Sequence, residues 1–168
     1  MPTEVRAETD HRFVVFRVGQ DMFGLPIEAV DEIVRLPTAI ARVPNAPTFV
    51  AGVINLRGKA LPVIDQRVRF AAENSVSGKT PRVIVLTIEG MQAGFIVDAV
   101  SEIVSVPGSA IGPAPDLPGD GSQVFDRVAA KDGTGALILV VGPKELLDGA
   151  ERDLLERFKP SSWVARSS

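Results

Sequence analysis

Apolar residues along the chain come in short runs broken by small turn signals, a pattern that predicts strands. Phe13 to Val18 is followed by Gly19-Gln20-Asp21, and Met22 to Ile27 returns. Val83 to Ile88 is followed by Glu89-Gly90, and Gln92 to Val97 returns. Each pair reads as a β-hairpin. A third hairpin is read from Phe49 to Leu56, a turn at Arg57-Gly58-Lys59, and a return from Ala60 to Ile64.

The first two hairpins are copies of one unit. Shifted by 70 residues, Arg12 to Pro37 (RFVVFRVGQDMFGLPIEAVDEIVRLP) aligns without a gap on Arg82 to Pro107 (RVIVLTIEGMQAGFIVDAVSEIVSVP), and nine of the 26 positions are identical. The match is closest where AVDEIV (Ala29 to Val34) meets AVSEIV (Ala99 to Val104). With a few residues inserted in the second copy, Ala60 to Ile64 also falls against Ala136 to Val140. A repeat in a chain too short for a solenoid predicts two similar subdomains packed together. Many short strands predict a barrel or sandwich, and barrel closure removes exposed edges. In each copy three apolar residues lie three apart: Ile27, Val30 and Ile33, then Val97, Val100 and Ile103. That spacing predicts a brief helical turn before the chain returns to strand and stops at Pro37 and Pro107.

The segments between are read more coarsely. Ala71 to Thr80 is small and polar and separates the copies; Pro113 to Ser122, with three prolines, is a long loop. Pro143 begins a short helix through Leu147. Asp148 and Glu151 resemble a capping box for a helix from Ala150 to Phe158, with Leu154, Leu155 and Phe158 as its docking stripe. The expected organisation is a flexible lead over 1–11, one domain over 12–158 and a loose tail over 159–168. Within the domain the halves are about 12–70 and 82–142, with crossing over of strands between them possible.

Composition narrows the function. A chain of 168 residues buries about 70% of its unfolded surface, enough for a real core without staples. The net charge of −3 gives no electrostatic footprint for nucleic acid. The absence of cysteine removes disulfides, thiolate metal sites and cysteine nucleophiles together, and it fits a reducing cytoplasm. Met1 to Asp10 lacks the apolar core of a signal peptide. The longest apolar stretch, Ala136 to Val141, is far short of the ~20 residues of a membrane helix. A soluble protein without membrane insertion is expected.

Reactive constellations are lacking. His11 is the only histidine and sits in the polar lead-in, which speaks against a histidine triad or metal site. Glu32, Asp65, Asp98 and Glu102 are carboxylates inside apolar frames, read as capping turns or facing solvent between strands. Two segments approach a phosphate loop and miss it. Gly52 to Lys59 (GVINLRGK) has five residues between its glycines where four are needed, and Ala60 follows. Ser75 to Thr80 (SVSGKT) has Glu73 where its first glycine belongs, and Pro81 and a strand follow in place of a helix. No catalytic residue, cofactor or metal is expected, and a protein-binding role remains.

Three segments together resemble the CheW domain: FGLPIEAVDEIV (Phe23 to Val34), VPNAPTFVAGVINLRGKALPVID (Val43 to Asp65) and GFIVDAVSEIV (Gly94 to Val104). The resemblance runs from about Phe13 to Leu155, and GVINLRG followed by PVID is its most specific part. It departs at Val140-Val141-Gly142-Pro143, where many relatives carry an acidic residue. The resemblance implies an all-β fold with minor α: two SH3-like five-stranded β-barrel subdomains sharing an apolar core, with a C-terminal helix. It implies a non-catalytic cytoplasmic adaptor, recruited to membrane-associated receptor arrays, that couples chemoreceptors to the histidine kinase CheA. The implied partners are the cytoplasmic tip of the chemoreceptors, the regulatory domain of CheA and, within arrays, further copies of the chain. The same adaptor role in a pilus, twitching or other chemosensory-like kinase pathway is the alternative.

Carried over to this chain, the implied receptor- and kinase-binding positions are Ile27, Val30, Glu32, Ile33, Gly52, Arg57, Gly58, Val97 and Val100. Val30 and Val100 are equivalent in the repeat; they are either core valines or two sides of one apolar groove. Gly52 and Gly58 serve either backbone shape or contact. Arg57 is either solvated, a structural ion pair or a partner contact.

Overall fold

The computed structural model describes residues 10–44, 50–65, 81–113, 125–131, 135–143 and 146. In chain order the strands are β1 (Asp10–Val18), β2 (Asp21–Pro26), β3 (Val30–Arg35), β4 (Val50–Leu56), β5 (Lys59–Asp65), β6 (Arg82–Ile88), β7 (Met91–Val97), β8 (Ala99–Pro107), β9 (Ile111–Pro113), β10 (Phe125–Ala130) and β11 (Leu137–Val141). Short 3-10 turns at Ile27–Ala29 and Gly108–Ala110 complete the described elements.

The hairpins form where the turn chemistry placed them. At β4–β5, Leu56 faces Lys59, and Arg57 and Gly58 take φ of 51° and 84°. At β6–β7, Ile88 faces Met91 with Glu89 and Gly90 at 52° and 81°. Positive φ at both central residues is the mirror-image turn whose twist matches paired strands. The side-chain oxygen of Asn55 accepts from the Gly58 N–H at 2.7 Å and fixes the first of these turns. Gly52 to Lys59, one of the two phosphate-loop near misses, is thus a strand and a hairpin tip; the other, Ser75 to Thr80, lies outside the described residues.

The strands assemble into two sheets, β8-β1-β2-β11-β10-β9 and β3-β6-β7-β5-β4. Neither sheet is built from one copy of the repeat. The first takes β1 and β2 from copy one and β8 to β11 from copy two; the second takes β3 to β5 from copy one and β6 and β7 from copy two. By the repeat, β8, β1, β2, β11 and β10 correspond in order to β3, β6, β7, β5 and β4, so each copy lends its first hairpin to the other. The closing contacts correspond too. Ala41 pairs with Val53 of β4 through bonds of 2.9 and 2.8 Å. Its repeat mate Ile111 begins β9, which pairs with β10. In both barrels the chain leaving the edge strand returns to cover the far edge, which leaves little free ladder.

The core has three parts. Phe13, Val15, Val106, Ala129, Ile138 and Val140 fill the first barrel; Ile54, Leu61, Val63, Val83, Val85 and Ile96 fill the second. The largest cluster lies between them and draws on both sheets. It includes Phe16, Phe23, Leu25, Ile64, Leu86, Phe95, Val141 and Leu146, with Phe16 and Phe23 stacked at 5.7 Å.

One expectation changes. The helical turn appears in the first copy only, at Ile27–Ala29; in the second, Val97 ends β7 and β8 starts at Ala99 after a bend at Asp98. At the C-terminus Leu146 is buried, its N–H donating to the Pro143 carbonyl at 3.3 Å. The rest of the expected helices, from Leu147 onward, lies outside the described residues, as do most of the two expected linkers.

Candidate partner-binding site

The alternation of β3 and β8 is inverted once in each, at equivalent places. Along β3, Val30 faces Leu86 and Glu32 faces Val85, so Asp31 is an extra residue. Along β8, Val100 faces Phe16 and Glu102 faces Val15, so Ser101 is extra. One inserted residue exchanges the two faces of a strand. Val30 and Val100 therefore turn to the central cluster, while Val34 and Val104 turn into the interiors of their own barrels. Both Val30 and Val100 are half-buried. They are core residues on one side and surface on the other, one from each barrel at the seam.

Beyond the bulge, Glu32 lies on the Val34 side, where it meets Arg57 from the β4–β5 turn. The guanidinium grips the carboxylate with both nitrogens, Nη1 donating to Oε1 at 2.9 Å and Nη2 to Oε2. Strand β3 is one edge of its sheet and β4 the other, so the pair joins the two edges. The hydrogen bond from Arg57, with its charge, holds the Glu32 carboxyl below its usual range against partial desolvation. The same bond raises the Arg57 value. The pair is exposed, and it contributes geometry more than energy. Arg57 is thereby assigned a structural ion pair while its outer face stays open to contact.

The remaining implied positions separate. Gly52 is buried with φ of +143°, and a Cβ there would lie 2.3 Å from the Ala41 carbonyl oxygen; only glycine lets the closing strand approach. Gly58 serves the turn. Val97 is 0% exposed and belongs to the central cluster, so it packs and cannot touch a partner in the folded chain. Ile27 is half-buried in the 3-10 turn before Val30. Ile33 is 38% exposed and faces Ile84, on the same side of the sheet as Val30.

The structure adds residues that are not among the implied binding positions. Ile103, the repeat mate of Ile33, is 52% exposed, and Leu137 is 58% exposed. Glu102, the mate of Glu32, pairs with Lys131 just after β10. The 70-residue offset would have located Ile103; nothing in the local sequence marks Lys131. Asp31 accepts from the Thr87 hydroxyl at 2.6 Å and the Gln92 amide at 3.3 Å on an exposed face. Among the described residues no cluster of histidine, aspartate or glutamate could hold a metal ion, and no helix is long and apolar enough to cross a membrane.

Comparison with known proteins points one way. Residues 12–151 match the family model of the CheW-like domain. The chemotaxis protein CheW of Klebsiella aerogenes is 33% identical over 153 residues, covering 89% of each chain. The chemotaxis protein CheW of Rhizobium meliloti is 36% identical over 141 residues, covering 83% of this chain and 89% of its own. The crystal structure of the scaffolding protein TtCheW from Thermoanaerobacter tengcongensis superposes with a TM-score of 0.71 at 34% identity, covering 79% of this chain and 88% of the other.

Proposed function

The chain belongs to the CheW-like domain family, one of non-catalytic scaffolds in chemotaxis, and on that premise we propose that it couples chemoreceptors to the histidine kinase CheA. The observation that carries the coupling mechanism is the pair Val30 and Val100, half-buried on the shared core at the seam of two barrels. A helical hairpin laid along that seam would press apolar anchors against valines already backed by a rigid core. That is helix-in-groove recognition, and little is lost in ordering the receiving side. The cytoplasmic tip of a receptor is such a hairpin.

A second surface is needed for the kinase. The exposed Glu32–Arg57 pair, which joins the two edges of the second sheet from the opposite side of β3 to Val30, supplies a fixed polar surface there. The regulatory domain of CheA is the partner proposed for it. The adaptor works in the cytoplasm and is recruited to receptor arrays at the membrane. Contacts this small are weak singly and gain strength when many are made at once, including between copies of the chain.

Calorimetric titration tests the reading. A receptor-tip fragment and the kinase regulatory domain should each bind, and saturating one should leave a site for the other. Binding of neither at ~100 μM, where a contact of about −5.5 kcal/mol registers, overturns it. Binding only to the partners of a pilus-type kinase system assigns the same role to that pathway.

A further inference from the structure

Each copy of the repeat crosses once between the sheets, and the two crossings are built differently. Copy one passes from β2 to β3 through the 3-10 turn, where the Val30 N–H donates to the Ile27 carbonyl. Copy two passes from β7 to β8 through Asp98 alone. The repeat mate of Asp98 is Glu28, which is exposed on the 3-10 turn. Asp98 is 3% exposed and is the one charged residue among the described residues classed as buried. Its carboxylate accepts from the Gly19 N–H at 2.7 Å, and its own N–H donates to the Arg17 carbonyl at 3.0 Å. Arg17 and Gly19 flank the end of β1 at the β1–β2 turn, in the sheet that the chain is about to enter.

A carboxylate on a backbone N–H in a dry site makes a charge-assisted bond, stronger than a neutral one, and an unpaired carboxylate there would be costly. The crossing and the β1–β2 turn are therefore held as one piece. The pairing of β8 with β1 starts at the next residues, Ala99 opposite Arg17 and Val100 opposite Phe16. Where Asp98 is fixed, Val100 is fixed.

We propose that Asp98 is a positioning residue that locks the β7–β8 crossing and so sets the relation of the two barrels and the position of Val100 relative to Val30. The crossing through Glu28 carries no such lock and is the compliant one. The consequence for receptor binding rests on the reading of the seam as the receptor site.

The absence of native cysteine allows a clean measurement. Cysteines introduced at Lys59 and Ser105, exposed on β5 and β8 of different sheets, carry nitroxide labels on the full chain. The distance distribution between them is recorded by double electron–electron resonance. Asp98→Ala should widen it by about twofold, as expected when a hinge is released, Asp98→Asn should widen it less, and Glu28→Ala should leave it unchanged. With receptor membranes and CheA, Asp98→Ala should lose about tenfold in receptor-dependent kinase stimulation while still binding the kinase domain, and Asp98→Asn should recover most of it. An unchanged distribution in the folded Asp98 variants overturns the lock, as does equal widening in Glu28→Ala. If circular dichroism shows Asp98→Ala unfolded, the width in Asp98→Asn decides alone. A wild type that stimulates no kinase defeats the receptor reading and leaves the distance result to decide the lock.

Discussion

Arg57 holds a backbone position that asparagine or glycine fills with less strain, since φ of 51° is unfavourable for a long side chain. The position aims its guanidinium at Glu32. Arg57→Asn should therefore keep the hairpin and lose the pair, so circular dichroism stays unchanged while the two sheet edges exchange amide hydrogens faster. The pair also has a pH signature. The Glu32 carboxyl is held below its ordinary value of 4.5, so its contribution is complete above 4.5 and fades as pH falls through the lower folded value. An NMR titration of the Glu32 carboxyl should show a lowered midpoint that returns toward 4.5 in Arg57→Ala. Sequence reading picked out Glu32, Asp98 and Glu102 as carboxylates in apolar frames. It could not name their partners, because these lie 25, 79 and 29 residues away and only the closed barrels bring them near.

The elements were easier to read than the contacts. All three hairpins were legible, because Arg57-Gly58 and Glu89-Gly90 carry a glycine at the second turn position and Gly19-Gln20 carries one at the first, each at a positive φ. Three-residue spacing over-predicted helix in the second copy, where Asp98 bends the chain straight into β8. The inversions at Asp31 and Ser101 were not legible, since an extra residue in a strand leaves no compositional mark; they decide that Val30 and Val100 turn to the seam. Gly52 tests the closure at this scale. Gly52→Ala places a methyl group against the Ala41 carbonyl at a positive φ, and it should cost about 3 kcal/mol in urea unfolding. Gly52→Ala without loss of stability would mean that the Ala41 bridge does not close the barrel.

At the level of the whole molecule the exchange of hairpins matters most. The repeat announced two equivalent units, but pairing partners are not encoded locally, and the topology shows that each barrel contains strands from both copies. Because the central cluster is also shared between the sheets, the two barrels should unfold together. Phe16→Ala, in the shared cluster, should cost about 4 kcal/mol and still give a single unfolding transition, with amides of both barrel interiors losing protection together. The same shared cluster backs Val30 and Val100, which ties the stability of the fold to the surface proposed for the receptor. The most direct test is kinase autophosphorylation reconstituted from receptor membranes, CheA and this protein, with Val30→Asp and Val100→Asp each shown to be folded by circular dichroism. The wild type should raise receptor-dependent autophosphorylation and both folded variants should fail to. Full stimulation by both folded variants would contradict the seam as the coupling site.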